Sequence, residues 1–192
     1  MTDLVPELSR PDEDRPELAT FPSRGIRRPD LAAVVADFLV EESAALDEGR
    51  YDEWLACLAG DFLYQVPVPM LREDPGLPRH SGRAMLFEAT KRTLSLKLGR
   101  VGLRHAWSDR PAGATRHFVG SVRVFDGCSP ARFRVDSNVL ASWSRGRGET
   151  VCATAARHDV IDRSHDGTWR LRHRRVLLDV EVPTHEQLSI IF

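Results

Sequence analysis

The residues best suited to chemistry are a few carboxylates, a tyrosine and two histidines. Glu42 lies three or four positions from Phe38, Leu39, Ala45 and Leu46. That spacing puts its carboxylate on the apolar side of a helix. Burial raises the pKa of a carboxyl and suits it to general acid–base work. Set against Asp61, Tyr64, His105 or His117 inside a cone-shaped cavity, Glu42 would shift protons in a dehydratase, isomerase or hydrolase. The competing reading is a carboxylate neutralised by one of the many arginines, which makes Glu42 structural.

Other chemistries find no support in the residue pattern. The sequence has no HExxH, P-loop, GxSxG or dinucleotide fingerprint. Its seven histidines are scattered, and the turn signal between His165 and His173 separates the one close pair. Cys57, Cys128 and Cys152 are odd in number and lack metal spacing, so neither a zinc site, an iron–sulfur cluster nor a disulfide framework is expected. That cysteine usage fits a reducing cytosol. The run Arg170–Arg175, "RLRHRR", suggests nucleic acid at first sight. On a strand, however, Arg170, Arg172 and Arg174 share a face opposite Trp169, Leu171, His173 and Leu177. With a net charge of −1 the better reading is a solvated or interface-facing arginine ladder. No signal peptide and no membrane-spanning run is recognised.

The elements that must position these residues follow from periodicity. Residues 1–28, with Pro6, Pro11, Pro16 and Pro22 among many charges, read as an arm without its own core. Residues 29–192 read as one domain, long enough to bury a sizeable core. Leu31, Val34, Val35, Phe38, Leu39, Ala45 and Leu46 mark a helix capped by Asp30 and stopped by Gly49. Asp52 caps a short helix carrying Trp54, Leu55 and Leu58. "FLYQVPVP" is a strand that Pro67 and Pro69 confine to an edge or an end. "SGRAMLFEATKRTLSLKLG" reads as a third helix, opened by Ser81 and closed by Gly99. Beyond it the period shortens to two through four strand-like segments. One of these carries Ala131, Phe133, Val135, Val139, Ala141 and Trp143 on one face, with Arg132, Arg134, Asp136 and Asn138 on the other. Helices followed by strands predict an α+β fold, with helices on one face of a curved, mostly antiparallel sheet.

The sequence closes on "LSIIF", Leu188–Phe192. An exposed end of this kind frays or aggregates, so burial in the domain or against another chain is expected.

Taken in order, these segments resemble the small (beta) subunit of bacterial aromatic-ring-hydroxylating dioxygenases. The resemblance runs through Leu46, Asp47, Tyr51, Asp52, Trp54, Leu55, Asp61, Tyr64 and Pro67. It continues through Trp107, Pro111, Thr115, Arg116, His117 and Val119, then Ser137 and Asn138, and closes on Leu178, Asp179, Pro183, Leu188 and Ser189. Gly120–Ser121 and Gln187 depart from the family's Ser-Asn and Asn.

This resemblance implies a nuclear-transport-factor-like, cystatin-like cone and a cytoplasmic protein of aromatic catabolism. It implies no catalytic, cofactor-binding or metal residue in this chain. The Rieske [2Fe-2S] cluster and mononuclear Fe(II) are expected in a large (alpha) partner, with three small subunits forming a trimeric base beneath three large ones. Trp107, Arg116, His117, Asn138, Leu188 and Phe192 are the implied interface or fold-signature residues. Neither nucleic acid nor membrane is an expected partner. Open beside this reading stand a stand-alone cone-fold dehydratase or isomerase and a small-ligand-binding module, since fold alone does not decide function.

Overall fold

Helical periodicity gives way to strand pairing along the chain in the computed structural model, which describes residues 23–71, 73–74, 76–101, 114–144, 150–180 and 191–192. Trp107 and Leu188, with His105, lie outside the described residues. A 3-10 turn, Pro29–Leu31, leads into helix α1, Ala32–Asp47. Val35, Leu39, Glu42 and Leu46 fall on its buried side at steps of four, three and four. Gly49, at φ +69°, ends the helix in the left-handed region open to glycine. Asp30 is not the cap: it sits inside the 3-10 turn and accepts hydrogen bonds from Arg28. Helix α2, Tyr51–Ala56, likewise starts without a side-chain cap, and Asp52 lies in its first turn.

Six described strands form one sheet: β1 (Leu58–Pro69), β2 (His80–Thr90), β3 (Ala114–Ser129), β4 (Arg132–Ser144), β5 (Val151–Arg163) and β6 (Trp169–Leu178). Their order is β2-β1-β6-β5-β4-β3. All neighbours are antiparallel except β1 and β6, which run parallel. Strand β1 is therefore interior, not an edge. Its prolines lie at its far end, where the pairing with β2 loses register.

The largest correction concerns the third helix. Residues 80–90 form β2, and only Lys91–Val101 form helix α3. Ala84, Met85, Leu86, Glu88 and Ala89 are good helix formers, but pairing with β1 overrides their propensity. Phe87 sets its ring edge against Tyr64, centroids 5.8 Å apart. Ser81 Oγ accepts from the main-chain N–H groups of Arg83 and Ala84 within the strand region. Gly99 lies inside α3, which buries Leu94 and Leu98.

Residues 24–28 lie along the free edge of β3. Arg28 N–H donates to Val124 O and Asp126 N–H donates to Ile26 O, each at 2.8 Å. Gly25 permits this approach, since a Cβ there would stand 2.4 Å from Asp126 O. Edge coverage of this kind removes a site for unwanted strand pairing.

Inside the curve, Val35, Leu39, Trp54, Phe62, Leu94, Val135, Ile161, Leu171 and Phe192 belong to one buried cluster. The expected apolar face of β4 is buried at Phe133, Val135, Val139 and Ala141, while Ala131 is exposed in the preceding turn. On the opposite face Arg134 and Asp136 are also buried, and they pair with each other.

Candidate functional site: the cone interior and the outer sheet face

Glu42 projects from α1 into the concave side of the sheet and is fully buried. Its Oε1 accepts from Trp54 Nε1 at 2.5 Å and Arg174 Nη1 at 2.8 Å; its Oε2 accepts from Arg174 Nη2 at 3.1 Å. Burial alone would raise this carboxyl. The charges of Arg174 and Arg157, with the hydrogen bonds from Arg174 and Trp54, outweigh burial and hold it below the ordinary range. A carboxylate clamped by cationic donors is a poor proton acceptor, so the arrangement opposes the general-base role.

Arg174 is the centre of the cluster. Nε and Nη2 donate to Asp159 at 3.0 and 3.1 Å, and Nη1 also donates to Phe192 O at 3.0 Å. Its five N–H groups thus all have acceptors. This overturns the simple arginine ladder. Val160 pairs with His173 while Ile161 pairs with Leu171, so Arg172 is an extra residue in β6. That bulge reverses the alternation and turns Arg174 inward. Arg172 instead pairs with Asp162 and Asp61 at the surface. Asp61 is therefore not brought to Glu42.

Strand β5 adds Arg157 and Asp159, both at 0% exposure on the same inward phase as Ala153, Ala155 and Ile161. Arg157 Nε donates to Ser137 Oγ at 3.2 Å, and its Nη1 lies 3.9 Å from Glu42 Oε2. Burial, reinforced by the like charge of Arg174, lowers the Arg157 guanidinium to about 10. Tyr64 is pushed up to about 12, chiefly by burial, and its hydroxyl oxygen accepts from Phe192 N–H at 3.0 Å.

His117 does not face Glu42 as a proton-transfer partner. Its Nδ1 lies 2.6 Å from Asp47 Oδ1, its main-chain N–H donates to Asp47 Oδ2, and its Nε2 lies 2.8 Å from Ile191 O. It thereby ties the end of α1, strand β3 and the closing residues together. Phe192 is buried, as expected for the apolar close of the sequence, but side chains rather than strand pairing hold Ile191 and Phe192. Asp47, Arg157, Asp159 and Arg174 escaped the sequence reading as members of this cluster. For Arg157 and Asp159 a signal existed: two charges on an otherwise apolar alternation.

Arg116 and Asn138 are exposed on the other side of the sheet. Asn138 lines a cleft of about 470 Å³ with Phe118, Gly120, Leu140, Thr154 and Ala156. Phe118 and Leu140 are direct cross-strand partners and are 62% and 39% exposed. Cys57, Cys128 and Cys152 are free. Among the described residues no group of three or more His, Cys, Asp or Glu gathers to hold a metal, and no helix is long and apolar enough to cross a membrane.

The fold is similar to known structures. A structure of naphthalene 1,2-dioxygenase with indole bound in its active site matches with a TM-score of 0.76 and 21% identity, over 86% of this chain and 87% of that one. The beta subunit of benzoate 1,2-dioxygenase from Burkholderia mallei matches at 0.61 and 20%, over 77% and 89%. ActVI-ORFA from Streptomyces coelicolor matches at 0.55 and 20%, over 78% and 98%. These likenesses establish the α+β cone. Residues 41–184 match the family model described as the ring hydroxylating beta subunit. Its span takes in α1 with Glu42 and all six strands, and the chain belongs to this family.

Proposed function

We propose that this chain is the structural small subunit of an aromatic-ring-hydroxylating dioxygenase and performs no chemistry itself. The carrying observation is the state of the cone interior. Glu42, the one buried carboxylate that suited a proton-transfer site, is engaged by Trp54 and Arg174, and Phe192 fills the space beside them. A catalytic cone needs an open pocket with convergent polar groups. The Rieske cluster and the mononuclear iron belong to the large partner on this reading. The separated cysteines of this chain do not suit a cluster, and its histidines do not suit an iron site.

The contribution is then positional. Three small subunits form the base that holds large subunits with one cluster facing the next one's iron. The Phe118–Leu140 pair, with Asn138 and Arg116 beside it, is the proposed contact surface, because an exposed aromatic–aliphatic pair rimmed by polar groups suits an interface core. The test is purification of the tagged chain from its native cells. The expected eluate is brown and contains a larger iron–sulfur protein in equal amount. A colourless eluate holding this chain alone, under gentle salt, contradicts the proposal.

A further inference from the structure

Phe192 is held as a ligand is held. Its N–H donates to Tyr64, its main-chain oxygen accepts from Arg174, and its side chain lies in the core at 2% exposure. Ile191 O meets His117 Nε2. Beside this grip, Arg157 is fully buried, yet neither Nη1 nor Nη2 has a hydrogen-bond partner. Buried guanidinium nitrogens are normally satisfied, and an exception calls for a reason. The surrounding charges already balance, two carboxylates (Glu42 and Asp159) against two guanidiniums (Arg157 and Arg174). A further anion would stand uncompensated in a buried site, whereas a neutral oxygen would satisfy the donors without that penalty.

We propose that the cone interior is a binding site for a small uncharged aromatic carbonyl compound, with Phe192 as its resident occupant. The ligand ring takes the place of the Phe192 side chain, and its carbonyl oxygen accepts from Arg157. In the native chain this ligand competes with the closing residues, so the site is closed until they leave. The interior thus keeps the polar equipment of a ligand site while its own chain fills it.

The test uses the full chain with Phe192→Ala, which removes the competing ring. Thermal unfolding is followed with millimolar acetophenone and with ethylbenzene, which has a similar shape but no oxygen. The expected result is a rise in Tm of at least about 2 °C for F192A with acetophenone, by mass action on the folded state. Ethylbenzene should give less than half that rise, and the wild-type chain should respond to neither. In F192A carrying Arg157→Met as well, the advantage of acetophenone over ethylbenzene should disappear. Equal shifts with both compounds would reveal a plain apolar hole and overturn the proposal, as would no shift in a cooperatively folded F192A. If F192A alone unfolds without cooperativity, acetophenone should restore a cooperative transition, and failure to restore it counts against the site.

Discussion

Arg174 illustrates how one residue joins distant parts of the chain. From β6 it reaches Glu42 on α1, Asp159 on β5 and Phe192, with every donor used. Burying such an ion network costs desolvation, and it is repaid only while the hydrogen bonds stay complete. Arg174→Met would leave two carboxylates buried beside Arg157 alone. It should lower the stability by about 3–5 kcal/mol, read as a reduced urea midpoint at unchanged slope. A loss below about 1 kcal/mol, the scale of an exposed pair, would show that the cluster does not hold the cone together. Glu42 was legible in the sequence as a buried carboxylate because its position completes the stripe of α1. Its partner was not. The inward turn of Arg174 depends on the extra residue Arg172, and strict alternation conceals such an insertion.

Elements were legible where local pattern and tertiary pairing agree. Helix α1, the β4 alternation and the Gly167 turn, at φ +85°, follow from spacing and turn chemistry alone. Strand β2 was read as helix because its composition favours one, and its actual partner lies in a separate segment of the chain. The parallel contact between β1 and β6 is still more remote in sequence. Strand β3 carries an irregularity between Gly120 and Arg123, where Ser121 adopts φ 54°. An L residue pays for this left-handed conformation, and asparagine tolerates it better than serine. Ser121→Asn should therefore raise stability by on the order of 0.5 kcal/mol, seen as a higher urea midpoint. A lower midpoint would mean that the surroundings of residue 121, rather than its backbone, set the preference. The departure from the family at Gly120–Ser121 thus falls on a bulge, where backbone conformation selects the residue.

At the scale of the whole molecule, the two sides of the sheet divide the work. The concave side is packed and ion-paired, with Phe192 drawn into it; the other presents Phe118 and Leu140 to a partner. The α+β cone and the family were legible because ordered landmarks persist along the chain, even though each is short. The destination of the closing residues was legible only in part: their apolar character required burial, but their attachment through Tyr64, His117 and Arg174 rests on three elements converging in space. The central claim is that this interior supports structure and does no chemistry. Its most direct test is the turnover per iron of the assembled dioxygenase carrying Tyr64→Phe in the small subunit. Loss of the hydroxyl removes the acceptor for Phe192 N–H but should leave turnover within about twofold of the wild type. General acid–base groups typically contribute about 100-fold or more. A fall of that size in an intact complex of unchanged composition would contradict the account and return the cone interior to the list of active sites.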